Sequence, residues 1–566
     1  MAITHDEIDE AFPYDSYRQI NDDATQYDII EAVQDIFEQG YSTIYIDAPT
    51  GVGKSAINVA CANLVESAFY TTPLKSLRQQ LMNDTGLAPH IVGLQARQDY
   101  QCGEVDTDSN CKDCPISVDP ERSCLGRPRC TYWNHKRDAM DAHTAALTFA
   151  YLIADGHLPT EDDQGQRLSF KNRELLIVDE MDDLESQVSS LFSGMTIGRT
   201  TLPNRVVRDL SDMVHDDMQT HDDVLDIVEP IRDRARYYVQ RHVGDESKAK
   251  ELEQCQRFLR KATWMFEEIE QGRVWTVDIE PIYGRGDRKK LKLSPVKVDN
   301  FLREHVWSRS EKRILSTATM PLRDDPKALS DRLGLDHSEA YLLKVSMPFP
   351  AHNRPVHKEY VGNFSGGGDT SQWNAIMDKL DELVERHAGQ RGVIHTVSYS
   401  RAQKIRDTVD EDDHPHLYDN FYQHEPKYDA DATIDAWLNS DLDILLSPSV
   451  MTGVDLYDDK CRWGVLIKAP YPHLGDSRLS YLLDEENDWT YYNDIAARSM
   501  VQAAGRAVRH ADDYADFYLI DEASESLFHR ASFPDWFIEA VTADSEPIAL
   551  EKTDPIGWEE PDILDL

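Results

Sequence analysis

Ala48-Pro49-Thr50-Gly51-Val52-Gly53-Lys54-Ser55 has the spacing of a phosphate-binding loop, with alanine in place of the first glycine. The apolar run Thr43 to Ile46 leads into it and the helical pattern SAINVACANLV leads out, so the loop joins a strand to a helix. That context is what the chemistry requires. Gly51 and Gly53 let backbone N–H groups turn inward onto phosphate oxygens, and the following helix's N-terminus adds positive potential. Pro49, Thr50 and Val52 complete the loop. Lys54 reaches the β- and γ-phosphates, and the Ser55 hydroxyl ligates Mg²⁺. The loop therefore predicts ATP and Mg²⁺ as ligands.

Working outward, the remaining motifs occur in an order that supports this. The run ELLIVDE reads as a buried parallel strand ending in Asp179-Glu180-Met181-Asp182. Asp179 is expected to hold Mg²⁺, and Glu180 to orient and deprotonate the attacking water. Ser316-Thr317-Ala318-Thr319 follows a short apolar run, and Thr452-Gly453-Val454-Asp455 follows LDILLS, which adds Gly453 and Asp455 to the expected nucleotide contacts. The stretch from Gln502 to Arg509 (QAAGRAVR) reads as helix. Helical spacing places Gln502, Arg506 and Arg509 on one face, where two guanidiniums can neutralise transition-state charge on the γ-phosphate.

Apolar strands alternate with helices before residue 180 and again after residue 390 (RGVIHT, LDILLS, WGVLIKA, DFYLID), which predicts α/β architecture with parallel sheets in two lobes. Ile29, Ile30, Val33, Ile36 and Phe37 have helical spacing, with Gly40 placed to cap the helix. Between roughly 184 and 275 the pattern becomes charged amphipathic helix. One face there carries Leu252, Cys255, Phe258, Leu259, Ala262, Met265, Phe266 and Ile269. The proline-rich stretch KVSMPFPAHNRP, 344 to 355, reads as a link between lobes.

Composition sets limits on these motifs. The chain has 566 residues and 59 basic against 103 acidic side chains, a formal net charge of −44. The acids are spread throughout, which points to a folded protein suited to molar salt, where the Debye length falls to about 3 Å and self-repulsion is screened, the alternative being a very acidic mesophilic protein. Acidity of this size does not suggest a nucleic-acid partner, so the motifs alone carry that case. No apolar run approaches the ~18 residues of a membrane span. The polar, acidic start MAITHDEIDE lacks the parts of a signal peptide, so a soluble, cytoplasmic location is expected.

Five of the eight cysteines, Cys102, Cys111, Cys114, Cys124 and Cys130, cluster together. Without a secretion signal such a group reads as metal-binding, and by spacing it could hold zinc or a 4Fe–4S cluster. Cys61, Cys255 and Cys461 lie in apolar or helical settings and are expected in the core. Arg127, Arg129, His135, Lys136 and Arg137 flank the cluster beside Tyr132 and Trp133, a mixture of cations and rings that suits a single strand. Arg285, Arg288, Lys289, Lys290 and Lys292 form a second basic group.

These motifs together resemble superfamily 2 helicases, and specifically the iron–sulfur XPD/DinG group, over most of residues 12 to 521. Phe12-Pro13-Tyr14 is similar to that group's opening motif, and Gln26 resembles its adenine-reading glutamine. TTPLKSLRQQ (71 to 80) resembles motif Ia, PFPAHNR the opening of the second lobe, and LIKAPYPHLGDSRL the segment after motif V. The group has DEAH where this chain has DEMD. The resemblance implies a first RecA-like lobe over 1–343, interrupted by an iron–sulfur insertion at 97–140 and a helical, arch-like insertion at 184–300, then a second lobe over 344–566. It favours 4Fe–4S over zinc. CTYWNHKR resembles the family's last-ligand segment, so Cys102, Cys111, Cys114 and Cys130 are the implied ligands, with Cys124 a possible substitute. It implies a DNA helicase moving 5′ to 3′ on single-stranded and forked DNA, expected to be a monomer, and the acidic composition adds the expectation of a haloarchaeon or its virus as source. Alternatives are an RNA-directed or protein-displacing translocase, and a redox-responsive nucleic-acid-binding ATPase.

Overall fold

The computed structural model describes residues 3–559, apart from 22, 103–128, 157, 159, 163, 190–193, 214–220, 282–288, 365–369, 427–429, 449–455, 511 and 543–555. Along the chain, the first lobe contributes β1 (Thr43–Asp47), β2 (Ala68–Thr72), β3 (Val92–Gly93), β4 (Thr144–Thr148) and β5 (Arg173–Asp179). An inserted segment carries β6 (Met195–Ile197), β7 (Trp275–Pro281) and β8 (Lys289–Pro295). The chain then returns through β9 (Ser310–Thr317) and β10 (Ala340–Val345). The second lobe contains β11 (Val356–Gly362), β12 (Gly392–His395), β13 (Phe421–Gln423), β14 (Ile444–Ser447), β15 (Trp463–Leu466), β16 (Asp516–Asp521) and β17 (Val541–Thr542). The last strand is β18 (Ile556–Glu559).

The first sheet runs β18-β10-β1-β9-β5-β2-β4-β3, and all its pairings are parallel except that of β18. The second runs β13-β14-β12-β15-β16-β11-β17, parallel throughout. Parallel sheets are covered on both faces, which is why β1, β2 and β14 are buried at every residue. The register aligns the motifs. Asp47 pairs with Thr317 and Asp179 pairs with Ser316, so the loop after β1, the DE box (Asp179 to Asp182) opening at the end of β5 and the STAT residues (Ser316 to Thr319) opening at the end of β9 emerge side by side. Ligands of open α/β sheets bind in this crevice, beyond the carboxyl ends of adjacent strands.

Three expectations change. The insertion is not wholly helical. Its two long helices, His221–His242 and Ala249–Glu270, pack with an antiparallel sheet ordered β6-β8-β7. Trp275 and Val277 on β7, and Leu291 and Leu293 on β8, alternate inward and join Cys255, Phe258, Ala262 and Met265 in one core. The expected helix face is real, and a period-two pattern flanks it. Second, β18 pairs antiparallel with β10, so the end of the chain returns to the first sheet instead of staying with the second lobe. Third, the helix Trp489–Ala504 stops at Gly505, so Gln502 is helical while Arg506 and Arg509 lie in the following loop. Gly505 is a poor helix interior residue and a ready stopping point.

Candidate active site

The P-loop is held from two directions. Gly51 and Gly53 have φ of 88° and 84°, a region that favours glycine. A Cβ on Gly51 would lie 2.2 Å from the ring of Phe349, and one on Gly53 would lie 2.3 Å from Nε2 of Gln26. Phe349 belongs to the interlobe link, so the second lobe's approach begins at the phosphate loop itself. Gln26 is buried, donates through Nε2 to the Val52 carbonyl at 2.9 Å and accepts from the Arg18 N–H at 2.8 Å. Lys54 Nζ donates to the Ala48 carbonyl at 3.1 Å. Across the cleft, the Thr50 hydroxyl donates to the Gly505 carbonyl at 3.4 Å.

The acidic side is organised by hydroxyls. Tyr70 on β2 donates to Asp179 Oδ2 at 2.8 Å, and Ser316 donates to Oδ1 at 3.1 Å. Asn58, on the helix after the P-loop, donates to Ser316 Oγ at 2.9 Å, so the two halves of the site share one network. Asp182 is the point where the DEMD departure matters. It accepts from Thr317 and Thr319, each at 2.8 Å, and from Gln502 Nε2 at 2.6 Å. The fourth position thus joins the DE box, the STAT residues and the second lobe through one carboxylate.

Crowding these acids away from water disfavours their charged forms. Burial raises the carboxyl of Asp179, against the pull of the Lys54 ammonium. Burial pushes Glu180 to about 7, opposed by Lys54 and reinforced by Asp182 and Asp179. Asp183 is raised to about 6, by burial and then by Asp182. Glu180 also sits at φ 52°, left-handed for a residue with a side chain, a local strain typical of reacting groups.

A cavity of about 470 Å³ is lined by Thr50, Gly51, Gly53, Lys54, Ser55, Asp179, Glu180, Asp182, Gln502, Arg506 and Arg509. A second, of about 990 Å³, shares Gly53, Ser55 and Asp179 with it and extends past Gln26, Tyr17 and Tyr457. The expected phosphate, acidic and arginine residues therefore meet around one space between the lobes. Pro49 and Val52 are buried behind the loop. Gly453 and Asp455 lie outside the described residues. Tyr70, Asn58 and Phe349 escaped the sequence reading, because their roles depend on strand order and lobe approach.

The cysteine segment is described only at its root. Cys111, Cys114, Cys124 and Arg127 lie outside the described residues. Thr131 Oγ1 donates to the Gln101 carbonyl at 2.7 Å, which brings together the neighbours of Cys102 and Cys130. Both thiols pack among Tyr100, Tyr132, Trp133 and Tyr151. The outer two positions thus fit a shared thiolate site. The flanking residues are not a simple strand-binding surface, however. Lys136 is fully buried and pairs with Asp155 at 2.7 Å, and Tyr132 is buried with its hydroxyl 2.7 Å from that of Tyr151. A cation in so dry a position needs its carboxylate, so Lys136 serves packing and not phosphates. Arg129 and Arg137 are exposed. In the second basic group, Arg285 and Arg288 lie outside the described residues and Lys289 is described only in backbone, while Lys290 and Lys292 project from β8. Cys61, Cys255 and Cys461 are buried as expected, and burial pushes their thiols to about 12, 11 and 12.

Residues 380–540 match the family model of the helicase C-terminal domain. The matched residues lie in the second lobe. Its helix and loop supply Gln502, Arg506 and Arg509 to the cavity. By sequence, the chain is 26% identical over 108 residues to the ATP-dependent DNA helicase CHL1 of Saccharomyces cerevisiae, a match covering 16% of this chain and 12% of that protein. It is 30% identical over 119 residues to the Caenorhabditis elegans regulator of telomere elongation helicase 1 homolog, covering 18% of this chain and 12% of that protein. By structure, it resembles an XPD helicase with a TM-score of 0.59 at 14% identity, covering 93% of this chain and 97% of that one. Xpd4 of S. tokodaii is similar, with a TM-score of 0.55 at 15% identity over 89% of this chain and 96% of that one. The fold is thus that of these XPD structures, with two parallel-sheet lobes. Among the described residues no helix is long and apolar enough to cross a membrane.

Proposed function

We propose that this chain is an ATP-dependent DNA helicase of the XPD/DinG type, translocating 5′ to 3′ on a single strand. The observation that carries this is the cavity lined jointly by the P-loop, the DE box and the second lobe's Gln502, Arg506 and Arg509. ATP enters with its phosphates on the loop. Ser55 and Asp179 would hold Mg²⁺, and Lys54 neutralises the β- and γ-phosphates. Glu180 takes the proton of the attacking water, and Arg506 and Arg509 neutralise charge as the γ-phosphoryl transfers. Because these groups sit on both lobes, hydrolysis opens a cleft that ATP had closed, and that movement is the motor stroke. The DNA helicases matched in sequence and the XPD-like fold support a nucleic-acid track. Thr452-Gly453-Val454-Asp455, whose Gly453 and Asp455 are the further expected nucleotide contacts, lie outside the described residues.

Cys102, Cys111, Cys114 and Cys130 would hold a 4Fe–4S cluster, with Cys124 as the alternative ligand. Thiolate ligation there supplies folding energy to a segment with little apolar content of its own. The net charge of −44 suits the motor to molar salt.

Strand displacement in molar KCl on duplexes with 5′ or 3′ single-stranded tails tests the reading. Unwinding of the 5′-tailed duplex, with none for Lys54→Ala, is expected. Hydrolysis without displacement on either tail would move the protein to the translocase class, and preference for 3′ tails would overturn the direction.

A further inference from the structure

Just beyond the DE box lies a buried ionic junction that the nucleotide chemistry does not use. Glu185 accepts from Arg332 Nη1 at 3.3 Å and from Arg478 at Oε1, and its Oε2 accepts from the Tyr491 hydroxyl at 3.1 Å. Arg332 belongs to the first lobe, on the helix Pro326–Leu333, and also pairs with Asp488. Its guanidinium lies 3.6 Å from the centre of the Tyr491 ring. Arg478 and Tyr491 belong to the second lobe, on the helices Ser477–Asp484 and Trp489–Ala504. Burial works against the charged form of Glu185, but Arg332 and then Arg478 outweigh it and hold the carboxyl below the usual range.

The same group grips the insertion. Arg478 Nε donates to the Val296 carbonyl at 2.8 Å, just past β8. Ser477 N–H donates to Asp278 on β7 at 2.9 Å, and its hydroxyl to the Val277 carbonyl at 2.8 Å. Glu185 joins the two lobes, and its partner Arg478, with Ser477, carries the link on to the inserted sheet. Stability alone does not call for this arrangement, since well-packed apolar side chains replace buried ion pairs at no loss. What the ions add is a defined geometry, lost if any member moves.

That geometry connects to the nucleotide. The helix Trp489–Ala504 carries Tyr491 near its start and Gln502 near its end, and Gln502 meets Asp182 in the ATP cleft. Arg498 of the same helix donates to the Asp182 carbonyl at 3.4 Å. A helix is rigid over this length, so a shift of Gln502 toward a bound γ-phosphate moves Tyr491 against Glu185.

We propose that Glu185 is a positioning residue through which the nucleotide state of the cleft reaches the inserted sheet β6-β8-β7, so that the insertion moves with the second lobe during each ATP cycle. The inference rests on the proposed ATP-driven activity. Hydrogen exchange of the full chain in molar KCl, with and without Mg²⁺ and a non-hydrolysable ATP analogue, tests it. In the wild type, amides of β7 and β8 should change protection when the analogue binds, although no nucleotide touches them. In Glu185→Gln, analogue affinity should stay within about twofold while that response disappears, and duplex unwound per ATP should fall about tenfold. If the uncompensated guanidinium unfolds that variant, the pair Glu185→Met with Arg478→Met leaves Arg332 with Asp488 and keeps the charges balanced. A folded variant that keeps the sheet's response, or a wild type that binds the analogue with no response in the sheet, overturns the proposal. A wild type that binds no analogue overturns the nucleotide site itself, and the coupling with it.

Discussion

At Glu180, the proposed base, two requirements conflict: a base must be ionised to accept a proton, yet burial, reinforced by Asp182 and Asp179, favours the protonated form and raises it to about 7. The sign follows directly. As pH falls through about 7 the carboxyl takes up a proton, so kcat/KM for strand-stimulated hydrolysis should decline on the acid side. Steady-state rates measured across neutral pH should show that limb, and Glu180→Gln should lose about 10²- to 10⁴-fold in turnover at every pH. An unchanged acid limb in an active Glu180→Gln enzyme would remove Glu180 from the base role. Arg506 and Arg509 make a complementary case, because the charge that their proposed role has them meet develops mainly in the transition state. Either change to alanine should lower kcat by about 10³-fold or more with little change in ATP affinity, as for an arginine finger. Titration of ATP binding beside turnover separates this from simple clamping, in which affinity would drop and kcat would hold. The types of these residues were legible in the chain, since phosphate, metal and water each demand a particular side chain. Tyr70 and Asp182 were not assigned their contacts, because their partners lie on strands and a helix distant in sequence.

Among the elements, the insertions depart furthest from expectation. The helical stripe from Leu252 to Ile269 shows in its period and packs as expected, while the sheet beside it departs from the expected all-helical insertion. Its signal was present in Trp275, Val277, Leu291 and Leu293, but short strands in charged sequence rarely stand out alone. The arginine loop shows the opposite error. Helical spacing placed Arg506 and Arg509 correctly toward the cleft, though the helix ends before them. At the cysteine root, the Thr131 to Gln101 hydrogen bond draws Cys102 and Cys130 to one neck. Serine at either position should cut iron content from about four per chain and weaken single-strand binding, whereas Cys124→Ser should keep both. Iron analysis of anaerobically purified variants checks this. One zinc per wild-type chain and no iron would replace the cluster with a structural metal.

Across the whole molecule, surface charge and phosphate binding oppose each other. With 103 acidic and 59 basic residues, self-repulsion acts over the entire surface, whereas the proposed strand contacts would draw on local clusters of cations alone. Raising salt weakens the contacts but screens the repulsion, to a Debye length of about 3 Å at 1 M. Screening should win, so the melting temperature and unwinding rate should both be higher in 2 M than in 0.1 M KCl, concentrations chosen on either side of about 1 M. Thermal melts and strand displacement at both salts decide the matter, and a more stable, fully active protein at low salt would refute the halophilic reading.

By itself the sequence determined the two parallel sheets, the nucleotide loop and the identity of the acid and arginine groups. Apolar runs, turn glycines and charged residues at strand ends are local demands of backbone and phosphate chemistry, and they are written where they act. Tertiary structure alone decided that Asp182 bridges three motifs, that Lys136 is buried with Asp155, and that Glu185 joins both lobes to the inserted sheet. Those roles depend on which distant surfaces are brought together. A charged side chain looks the same in sequence whether water or a buried partner receives it, and only packing settles which.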